Sequence, residues 1–155
     1  MPEEKLPPHD TQAESAILGS IMLFATGNRE EMAEQMAGIV ELKPSDFFRD
    51  KNGWIYEGIL ALSLQGTPPD QLILAHWLAV HDKLEAVGGP AYLIHCLAAV
   101  ATCYHLKHYA GIVKDCADRR QAISRGQQMV RQAYEGGPPS PSQPTLPGYK
   151  KAGNA

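Results

Sequence analysis

"AVGGPAYLIHCLAAV", residues Ala86 to Val100, decides the fold of this chain. Two glycines and a proline stand directly before an apolar run that carries a histidine and a cysteine. Such a string fits a glycine-rich phosphate loop, a metal corner, or a turn that starts a buried helix. Spacing separates the three. A Walker loop needs four residues between its glycines, then Lys and Ser or Thr, and a dinucleotide fingerprint needs three glycines after a strand. Gly88 and Gly89 satisfy neither. Proline in the first helical turn is harmless, because its missing N–H has no helical partner there. The stretch therefore predicts a turn at Gly88-Gly89. Pro90 then sits at the first position of a helix whose buried face carries Tyr92, Leu93, Cys96 and Leu97.

The metal corner fails on similar grounds. Zinc sites draw on Cys-x-x-Cys or on histidines four apart on one face. Here Cys96 and Cys103 are seven apart, and His105 and His108 are three apart. With Cys116, the three cysteines form no disulfide framework and read as reduced thiols of a cytoplasmic protein. No nucleophile elbow, zinc-protease helix or paired carboxylate in an apolar cleft is present, so no catalytic, cofactor or metal residue is expected. Asp115, Asp118, Arg119 and Arg120 read as a solvated face with weak pairing such as Asp115–Arg119.

Outward from this stretch the reading is helical throughout. Thr11-Gln12-Ala13-Glu14 fits a capping box, with Asp10 a competing cap. Ala13, Ile17, Leu18, Ile21 and Met22 follow at helical spacing. Asn28 can cap a second helix with a stripe of Met32, Met36 and Val40. Pro44-Ser45-Asp46 is a turn that delivers Phe47-Phe48. A third helix carries Trp54, Ile55, Ile59, Leu60 and Leu62 and ends near Gly66. Pro68-Pro69 cannot continue it, and Asp70 can cap the next helix, with Leu72, Ile73, Trp77 and Val80. Thr102 is the expected cap of a last helix from about Tyr104 to about Glu135. Tyr109, Cys116, Ile123 and Val130 recur in it every seven residues, and Ile112, Arg119, Gly126 and Ala133 hold the companion position. Such a half-apolar seam needs tertiary packing or a partner helix. After Gly136 the Pro/Gly-rich composition cannot bury a core and reads as a disordered tail.

The chain has 155 residues and a net charge of -3. Eleven acids and five bases fall within residues 1–60, against six bases and three acids within 104–135. That balance argues for weak or no direct DNA binding. No apolar run approaches the roughly 18 residues of a membrane span, and the charged N-terminus does not read as a signal peptide.

Five segments, in order, resemble the N-terminal domain of the DnaB-type bacterial replicative DNA helicase. Pro7-Pro8 with Ala13-Glu14 and Leu18-Gly19 is similar to its opening, and Asp46-Phe47-Phe48 with Ile55-Tyr56 to its second segment. Gly66-Thr67-Pro68-Pro69-Asp70 resembles its "G-x-P-x-D" turn. Leu84 to Leu93, with Val87-Gly88-Gly89 and Ala91-Tyr92-Leu93, is close to "L-x-x-VGG-x-AYL". Tyr109-Ala110-Gly111-Ile112-Val113 with Arg119-Arg120 resembles "YA-x-IV…RR". The resemblance implies an all-α fold: an arm at 1–10, a compact head at 11–103 and a long helix at 104–135, the first arm of a helical hairpin, before the tail at 136–155.

The resemblance also implies a non-catalytic module for oligomerisation and protein contact in DNA replication. Its expected partners are a second copy, as dimer or hexamer, and a replicative helicase, primase or loader. The family's ATPase domain and second hairpin helix have no counterpart in these residues. Tyr109, Ile112, Cys116, Ile123 and Val130 are the expected interface. Leu18, Gly19, Phe47, Asp70, Gly88, Gly89, Tyr92 and Leu93 are the structural markers. Two other readings stay open: a stand-alone regulator from a mobile element that binds a host helicase or primase, and a nucleic-acid adaptor working through the basic last helix.

Overall fold

The computed structural model describes residues 5–100 and 105–136, and within them every regular element is helical. The chain divides into two units, Met1–Arg120 and Gln121–Ala155. The first unit holds α1 (Thr11–Phe24), α2 (Arg29–Ala37), a 3-10 turn (Pro44–Asp46), α3 (Asp50–Leu64), α4 (Gln71–Val80), α5 (Leu84–Val87) and α6 (Gly89–Ala98). Helix α7 (Leu106–Glu135) begins in the first unit and supplies the described residues of the second. Thr102, Cys103 and Tyr104, and the expected tail beyond Gly136, lie outside the described residues.

Helix α1 is the centre of the head. Every residue from Ala13 to Met22 is buried, which is the signature of a helix enclosed on all sides. Its start is set by Asp10, whose carboxylate accepts the Ala13 N–H at 2.9 Å. The Thr11 box is therefore not the cap; Asp10 occupies that position and Thr11 is the first helical residue. Asn28 caps α2 through the Glu30 N–H, and Asp70 caps α4 through the Ile73 N–H, both as the sequence predicts.

Around α1 the core gathers Ile55, Tyr56 and Ile59 of α3, Leu74 and Leu78 of α4, Val87 of α5, Leu93 and Cys96 of α6, and Leu106, Ala110 and Val113 of α7. Helices α1 and α6 approach each other closely. A Cβ on Gly19 would lie 2.1 Å from the Cys96 carbonyl oxygen, so the two backbones can touch only where a side chain is absent. Gly88 takes φ +105° as the cap shared by α5 and α6, a region that disfavours any side chain. Helix α6 opens on Gly89, so Pro90 occupies the second helical position rather than the first.

One apolar stripe is corrected, and one helix is given its inward face. Helix α2 stops at Ala37, which leaves Val40 in the following turn and 80% exposed. In α4 the inward residues are Leu74 and Leu78, while Leu72 and Val80 face out. Eight of the ten α4 residues are apolar, so periodicity alone has no polar face by which to phase the helix. No described helix is long and apolar enough to cross a membrane.

The contrast between two glycines gives a stability test. Gly19→Val should lower unfolding free energy by about 3 kcal/mol, the upper end for overpacking. Gly126 has open space around it, and Gly126→Ala should raise stability by about 1 kcal/mol. Urea denaturation of both variants measures this; a neutral Gly19→Val would contradict the close α1–α6 packing.

Candidate interaction surface

The polar chemistry of the head points inward. Glu14 is 1% exposed, and a buried carboxylate is tolerated only when its oxygens are occupied. One oxygen accepts the Phe48 N–H; the other accepts from the Arg49 N–H at 3.4 Å and from Asn52 Nδ2 at 2.7 Å. Arg49 offers no side-chain cap to α3; Glu14 of α1 instead holds the two N–H groups that lead into that helix and the Asn52 side chain in its first turn. Its negative charge also meets the positive end of the α3 dipole. Asn52 passes the network on, accepting the Tyr92 hydroxyl at 2.7 Å, and Lys51 Nζ lies 3.6 Å over the Tyr92 ring. One carboxylate thus ties α1, α3 and α6 together.

A second network fixes the start of α7. Asp46 is buried in the 3-10 turn and accepts the Lys43 N–H at 2.8 Å, with Lys114 Nζ at 3.6 Å from the same oxygen. Arg120 donates to the Pro8 carbonyl at 2.8 Å and to the Asp46 carbonyl. Its guanidinium lies over Phe48, whose ring stacks on His9 at 4.3 Å. Arg120 is therefore not part of a solvated face. Its neighbours Asp115, Asp118 and Arg119 are exposed, and Asp115–Arg119 is a loose 4.0 Å pair.

Burial raises the Tyr56 hydroxyl to about 12, and the nearby Asp46 carboxylate adds to the effect. Burial likewise pushes the Cys96 thiol up to about 11, against smaller opposing effects of a Tyr92 hydrogen bond and the Lys51 charge. Cys96 is therefore a packing residue and not a nucleophile. Among the described residues, no three or more His, Cys, Asp or Glu side chains gather as a metal ion would need.

The expected interface residues divide into two groups. Cys116 is buried, and Tyr109 and Ile112 are half-buried against the core, so these three pack the head itself. Ile123 and Val130 stay 45% and 57% exposed, joined by Tyr134 at 90%. The markers sit at structural joints: Leu18, Phe47 and Leu93 in the core, Gly19 at the α1–α6 contact, Asp70 as a cap, Gly88 and Gly89 at the α5–α6 turn, and Tyr92 on Asn52. Pattern reading missed Glu14, Asn52 and Arg120 as organisers. A signal for Glu14 was present: it lies in register with Ile17, Leu18 and Ile21 at i+3, i+4 and i+7, the only charge on that apolar face. Arg120 gave no such signal, because its carbonyl partners are distant in sequence.

Among the described residues the head is all-helical, its buried polar groups tie its own helices together, and Ile123, Val130 and Tyr134 stay exposed along α7. This chain belongs to the family of DnaB-like helicase N-terminal domains, whose sequence profile matches residues 6–115. It is 34% identical over 131 residues to the replicative DNA helicase DnaB of Synechocystis sp., covering 84% of this chain and 14% of the relative. It is also 34% identical to the replicative DNA helicase DnaC of Bacillus subtilis, covering 27% of that protein. The chain thus spans well under a third of either relative. The crystal structure of the N-terminal domain of DnaB helicase from Mycobacterium tuberculosis matches with a TM-score of 0.76 and 31% identity, over 84% of this chain and 89% of that one.

The two arginines of the "RR" pair should behave differently. Arg120→Ala removes two charge-assisted hydrogen bonds to carbonyl oxygens and should destabilise by about 2 kcal/mol. Arg119→Ala should stay within about 0.5 kcal/mol in the same urea titration, as for an exposed pair. Equal losses would contradict the Arg120 clamp.

The raised Cys96 pKa sets a labelling rate. Moving a thiol from 9 to about 11 leaves roughly a hundredfold less thiolate at pH 8. Iodoacetamide followed by peptide mass mapping should show Cys96 alkylated at least that much more slowly in the folded protein than in urea. Rapid native labelling would show that the thiol is not buried.

Proposed function

We propose that this chain is an assembly and partner-contact module of a DnaB-type replicative helicase. It associates with copies of itself, as dimers or a hexameric collar, and presents surface to primase or to loading factors. The chemistry of unwinding lies outside these residues. The observation that carries this reading is the second unit's stretch of α7. From Gln121 to Glu135 it contains no buried residue, yet it bears Ile123, Val130 and Tyr134. A helix with no core of its own is marginal in water, and a seven-residue apolar repeat is the pattern that a partner helix covers.

Sedimentation equilibrium of the full chain tests the reading. Ile123→Asp should weaken self-association at least tenfold, because it sets a charge into the apolar stripe. Arg125→Ala, an exposed neighbour, should change it by less than twofold. An equal response of the two variants, or a wild-type chain that stays monomeric at high concentration, would overturn the α7 interface.

A further inference from the structure

Helix α3 and the 3-10 turn enclose a cleft of about 360 Å³ on the head. Pro44, Phe47 and Trp54 give it apolar walls, and Asp50 and Glu57 add two carboxylates. Part of its floor is backbone: a Cβ on Gly53 would lie 2.7 Å from the Pro44 carbonyl oxygen, so helix and turn touch there. Trp54 packs against the core yet stays half-buried, while Asp50 and Glu57 are exposed. Asp50, Trp54 and Glu57 take no part in the Glu14 network or the Arg120 clamp.

The chemistry of the cleft selects a cation. Asp50, Trp54 and Glu57 stand at i, i+4 and i+7, on one face of α3. The lining holds two carboxylates and no lysine or arginine, so it repels anions. A tryptophan between two carboxylates adds a π-face that holds a guanidinium or ammonium group. The cleft already draws one cation: Lys83 Nζ lies 3.0 Å from a Glu57 oxygen. Both side chains of that pair stay partly exposed, so a competing cation displaces Lys83 at little cost. Among the described residues Asp50 forms no ion pair. The acidic balance of residues 1–60, eleven acids against five bases, steers a basic partner to this side of the chain.

Spacing selects the shape of the occupant. Seven residues at 1.5 Å each separate Asp50 from Glu57 by about 10 Å along the helix. One guanidinium does not span that distance. A polyproline II segment rises about 3.1 Å per residue with three residues per turn, so side chains three apart share a face at about 9 Å. In a β-strand the third residue points to the opposite face. Aromatic-lined clefts are also the surfaces on which polyproline II segments dock, because their backbone is already extended and little ordering is needed.

We propose that this cleft receives a basic polyproline II segment of a partner protein, with two cationic side chains three residues apart. One cation meets Asp50, the other takes the place of Lys83 at Glu57, and the backbone between them lies against Trp54. The inference does not rest on the self-association reading, and its residues are separate from the α7 stripe. A contact of this size is small, so its affinity is modest and falls with added salt.

The full chain titrated with a fluorescently labelled synthetic peptide, Pro-Arg-Pro-Pro-Arg-Pro, tests this by anisotropy. Asp50→Asn and Glu57→Gln keep the side-chain shapes at exposed positions. The double variant should retain its helical circular dichroism and bind the peptide at least tenfold more weakly. Trp54→Phe, which keeps an aromatic ring against the core, should weaken binding at least threefold. A peptide with its arginines two apart, Pro-Arg-Pro-Arg-Pro-Pro, should bind at least threefold more weakly, and one with glutamates in their place should not bind. Ile123→Asp, outside the cleft, should bind within twofold of the wild type. No saturation of the wild type at millimolar peptide, or a double variant within twofold of it, would overturn the cleft. Equal affinity for the two arginine spacings would overturn the polyproline II fit, and loss of binding in Ile123→Asp would move the peptide to α7.

Discussion

The carboxylate of Glu14 is the constraint around which the head is arranged. It is buried in the central helix and would be strongly unfavourable there without partners. The Phe48 and Arg49 N–H groups and the Asn52 amide supply them. The dependence runs both ways: α3 has no side-chain cap of its own, and the two N–H groups that lead into it, of Phe48 and Arg49, find their acceptor in this carboxylate. Because Asn52 also receives the Tyr92 hydroxyl, the position of α6 is tied to the same point. Apolar burial brings α1, α3 and α6 together, and the Glu14 network fixes their mutual register.

Arg120 plays the corresponding part for α7. Leu106, Ala110, Val113 and Ala117 give the first half of that helix an ordinary apolar seat. A row of small and aliphatic side chains leaves sliding and rotation weakly opposed. Two directional bonds from one guanidinium to the Pro8 and Asp46 carbonyls oppose both. The Lys114–Asp46 pair adds a third tie to the same turn, weaker because Lys114 is partly solvated. The family's "DF" segment and its "RR" pair, far apart in sequence, meet here as two sides of one clamp.

Much of the fold was legible because it rests on local rules. Asp70 and Asn28 cap their helices as short acceptors before apolar runs do, and Gly88 turns the chain where only glycine is at ease. Legibility failed where local rules gave no direction. Helix α4 is apolar nearly all round, so its inward face could not be chosen from its own residues; the structure buries Leu74 and Leu78 and leaves Leu72 and Val80 exposed. The seven-residue repeat in α7 was legible as a pattern. The pattern did not say that Tyr109, Ile112 and Cys116 pack the head while Ile123 and Val130 remain exposed.

The sequence by itself determined the order of the longer helices, the caps Asn28 and Asp70, and the family, because propensity, capping and motif spacing are properties of neighbouring residues; the short α5 (Leu84–Val87) was not among the helices it marked. Only the tertiary structure decided which face of each helix turns inward and which polar groups are partners. Glu14 finds its ligands 34 to 38 residues away, and Arg120 bonds a carbonyl 112 residues away. Hydrogen bonds are directional and buried charges must be matched, so such pairs are fixed by the three-dimensional closure of the chain, and no local pattern in the sequence records them.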